Sequence, residues 1–123
     1  MLQPSVPAWF EVPTRDLDRA TRFYEAVLST ELVRAEMGPM SMAVFPHEKL
    51  QPSGALVRAD GYEPTGQGTV VYLHLDDIRP ALARVAQAGG SVLLPLTRLP
   101  DEAGVFAQIC DCDGNRVGLF SRT

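Results

Sequence analysis

The 123-residue sequence predicts an α+β fold of two βαβββ modules whose sheets share one cupped face. Three observations predict it. A unit made of an apolar strand, an acidic turn and an amphipathic helix occurs twice. Each helix is followed by three short strand patterns. The chain then closes on a strong hairpin signal.

The first unit opens with Ala8-Trp9-Phe10-Glu11-Val12, passes through Thr14-Arg15-Asp16-Leu17-Asp18 and enters a helix. Ala20, Phe23, Tyr24, Val27 and Leu28 form one apolar stripe at helical spacing, with Arg19, Arg22 and Glu25 opposite. The second unit opens with Val70-Val71-Tyr72-Leu73-His74-Leu75 and the pair Asp76-Asp77. Ile78, Ala81, Leu82 and Val85 then repeat the stripe. Aligning Asp16 with Asp77 places Leu17 on Ile78 and Trp9 on Val70. Asp16 and Asp76 or Asp77 are natural N-caps, because a carboxylate accepts from free amides at the positive end of the helix dipole. Pro80 lies in the first turn, where no N–H is missed. Gly89-Gly90 supplies a left-handed C-cap.

Strand patterns follow at about residues 31–36, 40–45 and 54–58, and again at about 91–94, 104–110 and 116–120. The last two are joined by Asp111-Cys112-Asp113-Gly114-Asn115, whose Asp-Gly pair supplies the positive φ of a hairpin. The chain therefore reads as one domain over residues 1–123. One module covers about 7–60, a Gly-rich link about 60–68 and a second module about 69–122. A four-stranded sheet with one helix leaves one face bare. Two such faces can combine into a cup, a natural ligand site.

Composition narrows the functions. Eleven Lys+Arg against 15 Asp+Glu give a net charge of −4 without a basic stripe, so nucleic acid is not an expected partner. No apolar run approaches the roughly 20 residues that span a bilayer, and residues 1–7 lack the pattern of a secretory leader, so no membrane partner is expected. Cys110 and Cys112 are one residue apart, too close for an unstrained disulfide, which fits a reducing, cytoplasmic setting. They read as space-filling beside a turn.

Three segments together resemble the vicinal-oxygen-chelate superfamily of glyoxalase, bleomycin-resistance and dioxygenase-like proteins. They are Trp9-Phe10-Glu11-Val12-Pro13 with the helix that follows, Val71 to Ile78 with Ala88-Gly89-Gly90, and the closing Asp111-Cys112-Asp113-Gly114-Asn115. In the closing motif Cys112 stands where Pro is usual. The resemblance spans nearly the whole chain. It implies the cupped fold, a small-molecule partner and a homodimer. In metal-using members it also implies a divalent ion held by His, Glu or Gln from the first and last strands of each module. Those positions fall here on Trp9, Val70, Gly118 and a residue within 54–57, where there is no carboxylate. No cofactor is therefore expected, unless a displaced divalent site uses Glu11 and His74.

Strand alternation turns Trp9, Glu11, Val70, Tyr72, His74, Arg116, Gly118 and Phe120 toward the cup. The expected ligand-binding set is Trp9, Glu11, Tyr72, His74, Arg116 and Phe120. Its aromatic surface suits a flat or aromatic ligand. Glu11 and His74 are the candidate catalytic pair. Glu11 reads as a general base or ligand anchor, or as a structural carboxylate bonded to Arg116, Tyr72 or backbone. His74 reads as an acid–base group or a solvated strand end. Met37, Met40 and Met42 read as a pliable wall or as core. His47 reads as a surface residue, residues 100–104 as a connector or rim, and Asp111 and Asp113 as turn carboxylates. Three functions remain. They are metal-independent small-molecule binding, a lyase, isomerase or oxygenase-like enzyme, and a non-catalytic subunit with Trp9 filling the cup.

Overall fold

A computed structural model describes residues 1–4 and 7–123. The N-terminal reading falls partly on Ser5 and Val6, which lie outside the described residues.

The first module runs β1 (Trp9–Pro13), α1 (Leu17–Leu28), β2 (Val33–Met37), β3 (Met40–Val44) and β4 (Ser53–Arg58). The second runs β5 (Tyr72–His74), α2 (Ile78–Ala88), β6 (Ser91–Arg98), β7 (Val105–Cys110) and β8 (Arg116–Ser121). Each forms a four-stranded mixed sheet, ordered β1-β4-β3-β2 and β5-β8-β7-β6. In both, the first strand lies parallel to the last and the other pairs are antiparallel. The α+β fold of two βαβββ modules is thus what the chain adopts.

The caps explain where the helices start. The Asp16 carboxylate accepts from the Arg19 amide at 3.1 Å, and Asp77 accepts from the Arg79 amide at 3.0 Å. Ser29 ends α1 in the left-handed region at φ 53°, and Gly89 ends α2 at φ 112°. The apolar stripes of both helices meet in one core that draws on both modules. Phe23, Tyr24 and Val27 from α1 join Ile78, Ala81 and Val85 from α2 over the inward residues of the sheets. Arg84 on α2 donates from Nε and Nη2 to the Val27 carbonyl at 3.1 and 2.8 Å, which satisfies a C-terminal carbonyl of α1.

The closing hairpin does more than turn the chain. Asp111 is 4% exposed. Its carboxylate accepts from the Tyr24 hydroxyl at 2.6 Å, from Asn115 Nδ2 at 2.9 Å, and from the amides of Asp113 and Asn115 at 2.8 and 3.0 Å. Asp113 accepts from Thr14 Oγ1 at 2.5 Å and from Arg19 Nη2 at 2.7 Å. Asn115 Nδ2 also donates to the Pro13 carbonyl at 2.8 Å. The second module is therefore fastened to the β1–α1 corner of the first. Cys110 and Cys112 are free. Burial, with the Asp113 and Asp111 charges, pushes the half-buried Cys112 thiol up to about 11.

Several boundaries differ from the sequence reading. Strand β6 continues to Arg98 through Pro95, with register shifts after Val92 and Leu94. A sheet edge tolerates a proline that an inner strand would not. The regular part of β5 is only Tyr72–His74. Residues Pro100–Glu102 form a short 3-10 turn, with Asp101 and Glu102 at φ 57° and 56°.

Candidate functional site

Alternation along β1 sends Phe10 and Val12 into the core and leaves Trp9 and Glu11 on the opposite face. In the second module Val71, Leu73 and Leu75 pack on the core, which leaves Val70, Tyr72 and His74 on the other face. The free edges of β1 and β5 face each other across an open groove of about 1010 Å³. Trp9, Glu11, Val70, Tyr72, His74 and Arg116 all line it. Phe120 does not. It lies with Tyr72, Leu99 and Phe106 around an adjoining apolar niche of about 280 Å³. The exposed His74 ring meets Phe120 edge-on, with centroids 5.1 Å apart.

Two polar clusters flank the groove. On the first sheet, Glu11 accepts from Trp9 Nε1 at 3.3 Å and from the Tyr62 hydroxyl at 2.9 Å. The hydrogen bond to Glu11 raises the Tyr62 phenol above its ordinary value. On the second sheet, Gln108 donates to the Tyr72 hydroxyl at 2.6 Å and accepts from Arg116 Nη1 at 2.8 Å. Glu11 is therefore bonded by Trp9 and Tyr62, not by the Arg116, Tyr72 or backbone group expected of a structural carboxylate there. Tyr62 reaches it from the link between modules, while Arg116 is held by its own sheet. Trp9 is 42% exposed and Tyr72 41%, so their rings form the walls of the groove and Trp9 does not plug it.

The sequence reading missed Tyr62, Gln108 and Phe106. Tyr62 was hidden in a Gly-rich link, although an aromatic there is itself a signal. Gln108 and Phe106 alternate with Val105, Ala107 and Ile109 on β7 and were legible as cup-facing. Of the methionines, Met42 is buried against Ala55 and Val57 on the cup side, Met40 packs beside it and Met37 is exposed. His47 lies exposed in a loop.

The metal positions can be tested on the backbone register. Glu11 pairs with Ala55 and Tyr72 with Gly118. The fourth position, sought within 54–57, is therefore Ala55, the counterpart of Gly118. The four side chains are an indole, a methyl, an isopropyl and a hydrogen, none of which donates to a divalent cation. A Cβ at Gly118 would stand 2.2 Å from Tyr72 Cδ2, so the tyrosine ring fills the place a side chain there would take. Among the described residues, no group of three or more His, Cys, Asp or Glu is placed to hold a metal. These residues do not fit the superfamily's divalent ion. Among the described residues, no helix is long and apolar enough to cross a membrane.

Two sheets flanking one groove, each sheet backed by a helix, define a class of paired-βαβββ proteins. The model of the Glyoxalase/Bleomycin resistance protein/Dioxygenase superfamily matches residues 7–119, and the chain belongs to that superfamily. Solved structures agree on the fold. A glyoxylase/bleomycin resistance protein/dioxygenase domain from Frankia sp. EAN1pec is 22% identical, with a TM-score of 0.70 over 97% of this chain and 98% of that one. Glyoxalase I from Zea mays is 21% identical, with a TM-score of 0.68 over 94% of this chain, which spans only 45% of the maize protein. A glyoxalase-related enzyme from Fulvimarina pelagi is 16% identical, with a TM-score of 0.65 over 93% of this chain and 86% of that one. Comparison with curated proteins gives no match.

Proposed function

We propose that residues 1–123 act as one cytoplasmic, homodimeric domain that binds an organic small molecule without a metal ion. One observation carries this reading. The positions to which the family resemblance assigns metal ligands carry Trp9, Ala55, Val70 and Gly118, none with a donor side chain, and the Tyr72 ring lies over Gly118. The groove keeps the means to bind. Trp9 and Tyr72 offer wide apolar faces with a polar tip, which suit an aromatic ligand. Glu11, His74 and Arg116 offer polar contacts. Two donors already engage the Glu11 carboxylate, which favours an anchor over a general base. The homodimer and the cytoplasmic setting rest on the family resemblance and on cysteine usage.

Calorimetric titration of tag-free protein with Ni²⁺, Zn²⁺, Fe²⁺ and Mn²⁺ tests the reading. No binding at micromolar affinity is expected. A stoichiometric ion would overturn it and return Glu11 and His74 to the front as the centre of an enzyme.

A further inference from the structure

The groove carries opposite charges that do not neutralise each other. Glu11 and Arg116 line the same space. Among the described residues, the ion pairs are Arg15–Glu63, Arg19–Asp113, Arg34–Asp18 and Arg79–Asp77, so neither groove charge is used. Each is held back by neutral partners on its own side. The Trp9 indole and the Tyr62 phenol orient Glu11, and the Gln108 carboxamide orients Arg116. Gln108 is itself fixed by the Tyr72 hydroxyl. Facing charges in an open groove gain at most about 1 kcal/mol by pairing. Short bonds to neutral neighbours are enough to keep them apart.

Resting on the binding reading above, we propose that the groove selects a flat aromatic zwitterion, with a cationic group at the Glu11 end and an anionic group at the Arg116 end. The selectivity has an attractive and a repulsive part. A monocation gains Glu11 but meets Arg116 as a like charge. A monoanion gains Arg116 but meets Glu11. A zwitterion satisfies both, and its ring lies between the Trp9 and Tyr72 walls. Arg116 gives Nη1 to Gln108, which leaves other guanidinium donors for a carboxylate.

The test uses para-(aminomethyl)benzoate and its biphenyl homologue, which differ in charge separation. Each is compared with its amine-only, carboxylate-only and uncharged isosteres by calorimetry on the intact protein. One zwitterion is expected to bind at least tenfold more tightly than every isostere of the same length. Glu11→Gln is expected to erase its advantage over the carboxylate-only probe, and Arg116→Gln its advantage over the amine-only probe. Equal binding of singly charged or uncharged isosteres would overturn the charge inference and leave small-molecule binding standing. Saturation by none of the probes would also overturn it, and the wider binding reading is decided separately by metal titration and library screening. The wild-type series needs no variant, so misfolding of either mutant does not blunt the test.

Discussion

Tyr24→Phe isolates the bond that fastens the closing hairpin to the first helix. Tyr24 is fully buried, and its ring packs edge-on against Phe23 and Phe45 at 5.0 and 5.7 Å. Phenylalanine keeps that packing and removes only the hydroxyl that donates to Asp111 at 2.6 Å. A hydrogen bond to a charged acceptor contributes about 1.5–3 kcal/mol. Asn115 Nδ2 still reaches the same oxygen at 2.9 Å, so the carboxylate is not orphaned. A loss of about 2 kcal/mol follows from that range, and a fall in Tm of roughly 5–10 °C. Urea unfolding at pH 7, followed by circular dichroism, measures it, with the m-value unchanged. A pH series adds a second readout. Burial, then the Asp111 charge, raises the Tyr24 phenol well above 10.0. A raised folded-state value means the contribution is complete below about pH 10 and is lost as pH climbs toward the folded value. The gap between wild type and variant therefore narrows above about pH 10. A loss below about 0.5 kcal/mol at pH 7 would refute the fastening role.

Two further outcomes are expected. Gly90→Ala places a Cβ 2.4 Å from the Cys110 carbonyl oxygen, a backbone atom, whereas the nearest atoms to a Cβ at Gly54 belong to the Phe10 side-chain ring, at 2.4 Å. Overpacking costs about 1–3 kcal/mol, and Gly90→Ala is expected at the upper end or beyond and Gly54→Ala below it, as read by thermal denaturation of the pair. The Cys112 thiol, pushed up to about 11, holds little thiolate at pH 7. In a Cys110→Ser background its alkylation by iodoacetamide is expected to be roughly a hundredfold slower than that of an unstructured cysteine thiol. A rate like that of a free peptide thiol would contradict its burial.

Much of the fold was legible because it is written in local patterns. The stripes of Phe23, Tyr24 and Val27 and of Ile78, Ala81 and Val85 set both helices, and Asp16 and Asp77 set where they start. Alternation at Trp9–Glu11 and Tyr72–His74 assigned faces correctly, because a strand has only two. Contacts between distant segments were not legible. The Asp111 cluster draws on Tyr24, and Asp113 draws on Thr14 and Arg19, which no spacing rule links to the hairpin. Tyr62 reaches Glu11 from the link between modules, and although an aromatic in a Gly-rich link is a signal, no spacing rule names Glu11 as its partner. The extension of β6 past Pro95 depends on its being a sheet edge, which is known only once strand order is known.

Trp9 is the only tryptophan and forms a wall of the groove, so its fluorescence reports occupancy directly. The decisive measurement is a fluorescence titration with an aromatic small-molecule library in excess chelator, with each hit checked for turnover. The account predicts a saturable Trp9 signal for at least one compound, unchanged by chelator and without chemical conversion. A signal or turnover that appears only when a divalent ion is restored would contradict it.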